Sequence, residues 1–302
     1  MTDSSRDVHM KTASFRASIV PVLMLALSVA GAKEPDHHTL WKVTSGNATV
    51  YLMGSVHLLH KEQYPLAHEL EDAYRESDSV LFEAPLDEDA QASAAGFMAR
   101  RSMLGDSLTL QDVVSPDTYA AVKEQCASSG ISLALLHRLK PWAVALTVLT
   151  VELQRMGLQP QYGLDRYFHT RALRDGKGIG AFETIEFQLG LLDGMDRSLQ
   201  DRFLRQTVSD VATMKSDLAM LIDAWSRGRT RVLDSMLVQG TREFPALYDR
   251  IVVDRNRAWL PRVVSYLKGT HTILVVVGAG HLVGRDGLVA LLRRNGYAVD
   301  QL

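Results

Sequence analysis

The chain is poor in the features that mark common catalytic plans. It holds one cysteine, Cys126, in 302 residues. That excludes an internal disulfide and any metal site built on several thiolates. A lone cysteine is read here as a small buried hydrophobe. There is no Gly-x-Ser-x-Gly elbow, no His-Glu-x-x-His pair and no phosphate-binding loop. A serine hydrolase, a zincin and a nucleotide enzyme therefore each lack their signature. The formal net charge is only -2, so there is no cationic excess to grip nucleic acid. No low-complexity linker divides the chain. With 46% apolar and 23% charged residues, what remains is an ordinary globular composition with ample material for a core.

The clearest compositional break is near the start. Ile19 to Ala32 carries no charge, follows Lys11 and Arg16, and ends in Ala30-Gly31-Ala32. A basic stretch, a short apolar run and a small-x-small end predict a cleavable signal peptide over residues 1–32. The run is too short for the ~20 residues a bilayer span needs. A periplasmic or secreted protein beginning near Lys33 is expected, without stable membrane insertion, and Met10 is an alternative start. His37 and His38, beside the expected cleavage site, are expected to be mobile.

The remainder, 33–302, reads as one α/β domain. Leu40–Val43 and Thr49–Met53 flank Ser45-Gly46-Asn47-Ala48 and predict a hairpin. Leu66–Arg75 has helical spacing. Ser79–Glu83 and Ile179–Glu183 are short strands, each ending in Glu. Thr272–Val277 is apolar and β-branched, as a strand buried on both faces should be. A last strand is expected at Tyr297–Val299. Between them, about 87–245, the pattern is mostly helical, with Ser115-Pro116 and Gly163-Leu164-Asp165 as helix starts. The expected architecture is a central sheet formed from both ends of the chain, with a large helical middle region.

The chemistry-bearing pattern is a repeat. Met53-Gly54-Ser55-Val56-His57-Leu58 and Val277-Gly278-Ala279-Gly280-His281-Leu282 each place Gly-x-x-His directly after an apolar strand. The carboxyl ends of strands are where α/β proteins build sites. One such motif is weak; two in equivalent places point to a shared site and suggest an internal duplication, although two structural histidines in tight turns would look the same. Glu83 and Glu183 also end strands. Two imidazoles and a carboxylate make a divalent-metal site for zinc, manganese, cobalt or iron. His57, Glu83 and His281 are the candidate ligands. Glu183, Arg255 and Asn256 are the candidate catalytic residues. A carboxylate left out of the ligand set serves as general base, although Glu183 is equally suited to pairing with an arginine. Asn256 shares a helical face with Trp259, Leu260, Val263 and Leu267, so it points where an apolar residue is expected and needs partners. Arg255 suits a carboxylate, of the substrate or of the chain. Pro261 requires that the helix kink or begin nearby. His60 is expected at the mouth of the site and His169 in the core or facing solvent.

Taken together, these segments resemble the TraB/PrgY/GumN family, to which the animal Tiki proteins are related. The resemblance rests on Leu40-Trp41-Lys42-Val43, Tyr51 to His57, Leu81-Phe82-Glu83, Lys140-Pro141-Trp142, Gly163-Leu164-Asp165, Phe182-Glu183-Thr184 with Gln188, Arg255-Asn256 with Trp259, and Val277 to Leu282. Pro261 departs from the smoother helix expected after Arg-Asn-x-x-Trp. The resemblance implies a fold akin to erythromycin esterase and haem-binding ChaN proteins, and a metal-dependent peptidase activity like that proposed for Tiki members. It carries His57 and His281 onto the two family histidines and Glu83 onto the family's strand-end acid. The leading expectation is a metal-dependent hydrolase of a peptide or other amide or ester. The alternative is a non-catalytic binder of a peptide or small ligand in the same cleft. Haem binding follows by fold analogy alone, and no axial Tyr or His is marked out for it.

Overall fold

The computed structural model describes residues 37–242 and 244–302; the expected signal peptide lies outside them. Among the described residues, six strands form one mixed sheet. They are β1 (Leu40–Ser45), β2 (Ala48–Ser55), β3 (Ser79–Phe82), β4 (Gly178–Ala181), β5 (Thr272–Gly278) and β6 (Asp300–Gln301). Their order across the sheet is β4-β3-β5-β2-β1-β6.

β1 and β2 are the predicted hairpin, antiparallel from Leu40↔Met53 to Ser45↔Ala48. β2, β5, β3 and β4 are all parallel. β5, formed last of these four, slots between β2 and β3, so both ends of the chain do build the centre of the sheet. This explains its composition: Leu274 to Val277 are fully buried, as a parallel strand covered on both faces requires. All four parallel strands end at one edge. The expected last strand at Tyr297–Val299 is displaced. Val299 is buried, and pairing begins only at Asp300, where the chain reaches the free edge of β1 at Lys42.

The middle of the chain is helical apart from β4, which returns from within it to the sheet. Two apolar clusters separate from the sheet core hold these helices together. One joins Val122, Val144, Val148 and Leu204; the other joins Trp142, Met195, Leu199 and Leu247. The Pro116–Ser129 helix starts as predicted, with the Ser115 side chain accepting from the Thr118 N–H. Cys126 is buried in the first cluster. No helix among the described residues is long and apolar enough to cross a membrane.

One expectation changes. His38 is anchored rather than mobile, its ring bonded to the Ser226 carbonyl at 2.9 Å and paired with Glu69 at 3.0 Å. Pro261 sits inside the Asp254–Tyr266 helix. That helix continues from a π-helical turn at Asp249–Val253. Pro261 offers no N–H to the carbonyl of Arg257.

Candidate functional site

Four parallel strands bring their carboxyl ends together, and the predicted residues come with them. His57 follows β2, Glu83 follows β3, Glu183 follows β4 and His281 follows β5. Strands β2 and β5 are direct neighbours, about 4.8 Å apart. The two Gly-x-x-His motifs are nevertheless not in register. Gly278 pairs with Ser55, and Gly54 with Val277. A one-residue offset turns matching positions to opposite faces of the pleat. The two histidines, which lie beyond the paired residues, also differ: the His57 side chain is 63% exposed and that of His281 10%.

At the centre stands Arg255, buried, from the Asp254–Tyr266 helix. Its Nη2 donates to Glu83 at 2.6 Å and to Glu183 at 2.8 Å. Its Nε donates to both oxygens of Glu183 at 3.0 Å. The Trp259 indole N–H adds a bond to Glu183 at 2.8 Å. Gln188 donates to Glu83 at 3.2 Å and to Glu183 at 3.1 Å. Of the two carboxylates that Arg255 suits, it takes those of the chain itself. The other oxygen of Glu83 accepts from the Gly278 N–H at 2.7 Å. A Cβ at Gly278 would lie only 3.0 Å from that oxygen, which is why the second motif begins with glycine.

Asn256, fully buried, fixes the tautomer of His281. Its Nδ2 donates to the carbonyls of His281 and Asp286 at 3.2 and 2.9 Å, so its Oδ1 must be the atom facing His281 Nδ1 at 2.8 Å. That nitrogen therefore carries the proton. Nε2 is left as an acceptor and faces Arg255 Nη1 at 2.9 Å. Burial, only partly opposed by the charge of Glu83, lowers the His281 pKa to about 4, and Arg255 and His57 push the same way. The imidazole is neutral at working pH.

His57 is held by Asp165, a residue that reading of the sequence assigned only to a helix start. Its Nδ1 donates to Asp165 at 2.9 Å, and Ser55 donates to the other carboxylate oxygen at 3.0 Å. Asp165 reaches this point because the Leu164–Asp175 helix docks on the motif loop. The Leu164 N–H bonds the Val56 carbonyl at 3.2 Å, and a Cβ at Gly163 would lie 2.0 Å from the His57 carbonyl. The charge of Asp165, working against burial and helped by the hydrogen bond, raises the His57 pKa to about 9. The direction follows from that carboxylate; the exposed face of the ring lets water weaken it. Burial would raise Glu83, but the charges of His281, Arg255 and His57 and the Gly278 N–H outweigh it and bring the carboxyl down to about 2. Because His281 is itself neutral above about pH 4, the charge of Arg255, helped by that of His57, holds Glu83 ionised at neutral pH.

The fit to a divalent metal can be judged on these contacts. Each imidazole spends Nδ1 on a side-chain oxygen, the arrangement that orients metal-binding histidines through Nε2. Glu83 stands beside them, 3.9 Å from His281 Nε2. The donor chemistry thus suits a divalent ion. The arrangement as it stands is closed by Arg255, which occupies His281 Nε2 and one oxygen of Glu83. Among the described residues no three His, Cys, Asp or Glu side chains are grouped as a ligand set.

Other candidates fall away from the cluster. His169 is buried, with its ring edge-on to Phe82 at 5.6 Å. His60 lines a cavity of about 710 Å3 with Arg155, Lys215 and Ile222, but that cavity shares none of the residues around Arg255. A second cavity of about 670 Å3 does share Glu183, Arg255 and Trp259.

The TraB/PrgY/gumN family is matched over residues 39–301, almost the whole described chain. The chain belongs to that family. It is 25% identical over 249 residues to the uncharacterized protein YbaP of Escherichia coli K12, covering 82% of this chain and 89% of YbaP. It is 23% identical to the metalloprotease TIKI1 of Danio rerio, over 83% of this chain and 60% of TIKI1. Metalloprotease TIKI2 of Xenopus tropicalis is also 23% identical, over 93% of this chain and 63% of TIKI2. The chain thus spans less than two thirds of the length of these two metalloproteases. No solved structure matches it.

Proposed function

We propose that this protein is a metal-dependent hydrolase of a peptide or other amide or ester bond, acting in the periplasm or outside the cell. One observation carries the reading. At the carboxyl ends of adjacent parallel strands, His57 and His281 each have Nδ1 bound to a side-chain oxygen, with the buried carboxylate of Glu83 alongside. The name of the distant Tiki relatives, metalloprotease, agrees with it. The carboxyl ends of parallel strands are where open α/β sheets generally place their sites.

His57, Glu83 and His281 would hold the ion, which when bound supplies a Lewis acid and a water of lowered pKa. The chain's own residues do the remaining work. Asn256 leaves Nε2 of His281 as the free nitrogen, and Asp165 holds Nδ1 of His57, so that its Nε2 would take the ion in place of a proton. Glu183 is the carboxylate outside the ligand set and the candidate general base. Arg255 pairs with both Glu183 and Glu83, and its guanidinium is a positive group that would stabilise an oxyanion formed at the sheet edge.

The contact between Arg255 and His281 Nε2 favours a second reading, a binder with no metal, in which the cleft holds a peptide or small ligand. Elemental analysis of the purified protein, before and after exposure to zinc, manganese and cobalt, separates the two. The hydrolase reading expects about one ion per chain, lost in His57→Ala and in His281→Ala, with the double variant little worse because the two act as one unit. Absence of bound metal under all three conditions, with no peptide or ester cleavage, would leave the binder.

A further inference from the structure

The cavity of about 670 Å3 beside the cluster shares Glu183 and Arg255 with it, and the rest of its lining is selective. Its apolar wall is aromatic. Trp259 is buried beneath Phe182, their rings stacked with centroids 5.0 Å apart and planes 19° from parallel, so the aromatic surface left open is that of half-buried Phe182 and of Phe187, which is 50% exposed at the cavity. Such a wall suits a flat apolar group, and the volume lies in the usual range for small-ligand sites. The polar part is asymmetric in charge. Glu183 is bonded to Arg255 and Trp259, which direct its oxygens toward the cluster, although Arg255 is shared with Glu83. Arg250 and Arg262 also line the cavity, and neither has a carboxylate partner among the described residues. Arg250 donates to the Leu191 carbonyl at 3.3 Å. Arg262 donates to the Ala181 carbonyl and to the Tyr266 hydroxyl, and its guanidinium lies 5.3 Å from the Phe182 centroid. Against these two cations stands one exposed acid, Asp254.

We infer that this cavity binds an aromatic side chain with a carboxylate next to it, the ring against Phe187 and the open part of Phe182 and the anion on Arg250 and Arg262. A guanidinium bonded only to neutral oxygens keeps donors and full charge for such an anion. Because the cavity shares Glu183 and Arg255 with the cluster, the bound group lies alongside the sheet edge. On the hydrolase reading, on which this step rests, the preferred substrates are peptides with an aromatic residue close to the cleaved bond and a carboxylate adjoining it.

Equilibrium binding to the intact protein tests the cavity without turnover. The probes are N-acetylphenylalanine, its amide, N-acetylalanine and N-acetylphenylalanyl-aspartamide, followed by calorimetry or ligand-detected NMR. The acid should bind about tenfold or more tightly than its amide and than the alanine compound. The aspartamide distinguishes a side-chain carboxylate from a chain-terminal one; binding by either supports the site. Arg250→Gln should narrow the gap between acid and amide. Ala258→Trp, at an exposed position lining the cavity, should abolish binding, and the milder Phe187→Ala should weaken it if the Trp variant does not fold. Equal binding of acid and amide would overturn the anion part. Binding of N-acetylphenylalanine that neither Ala258→Trp nor Phe187→Ala alters, or no binding at all, would overturn the site. Loss of the hydrolase reading shows separately, as absence of metal and cleavage.

Discussion

Nη1 of Arg255 donates to Nε2 of His281 at 2.9 Å, a bond that only the neutral imidazole can accept. The same guanidinium binds Glu83 and Glu183. One buried cation thus pairs with two buried anions and faces the acceptor nitrogen of a neutral histidine. Removing it strands both carboxylates away from water.

Arg255→Ala should therefore cost about 3–5 kcal/mol, the usual penalty for breaking a buried ion pair from one side. Urea unfolding of the two proteins measures it. Combining Arg255→Ala with Glu183→Gln should cost less than the sum of the single changes, since a neutral amide has less need of the guanidinium. Strictly additive losses would mean that Arg255 contributes by packing on Trp259, whose ring lies 4.8 Å from its Cζ, and not by charge.

The two histidines give stability opposite dependences on pH. His57 has its folded pKa raised to about 9. Its contribution is full below the unfolded value, ~6.5, and is lost as pH rises from there through about 9. His281 has its folded pKa lowered to about 4. The unfolded chain binds that proton more readily, so its contribution is full above ~6.5 and is lost as pH falls toward about 4. Denaturation midpoints across pH 4–10 should therefore fall on both sides of ~6.5. Asp165→Asn should remove the alkaline arm alone and bring the His57 NMR titration down toward ~6.5. An alkaline arm unchanged in that variant would assign it to other groups.

Much of the site was legible because its signals are local. An apolar run ending in Gly-x-x-His locates both strands and both rings, and the same holds for the strand-end acids Glu83 and Glu183. Asn256 stood out because it broke an otherwise apolar helical face. Three things were not legible, for one reason. The partner of His57 is Asp165, more than a hundred residues away, and it arrives only because Gly163 lets a helix start press on the His57 carbonyl. Which carboxylates Arg255 would take depends on β4 returning to the sheet edge beside β3. The one-residue offset of the two motifs is a property of strand register. Each is set by long-range packing, which periodicity does not record. Asp165 did carry a trace, as the acid of a Gly-Leu-Asp helix start, but a first-turn acid is ordinary for its own helix.

Asn256 offers the sharpest test of how His281 is held. Its amide gives the ring one acceptor and no charge. Asn256→Asp keeps the size and the acceptor but adds a negative charge against Nδ1 and loses the two donor bonds to the carbonyls of His281 and Asp286. The added carboxylate favours imidazolium, so the His281 pKa should rise above its native value of about 4. A protonated Nε2 would then face the N–H of Arg255, donor against donor, and the variant should lose that contact as the ring charges. NMR of the imidazole shows the titration directly, and the acid arm of the stability profile should shift with it. Asn256→Ala separates the causes. It removes the acceptor without adding charge, leaves buried polar groups unpaired at about 1–3 kcal/mol, and should not raise the pKa. A His281 titration that stays near 4 in a folded Asn256→Asp protein would show that burial and Arg255 alone set its charge, and that Asn256 serves only to pin the backbone around Asp286.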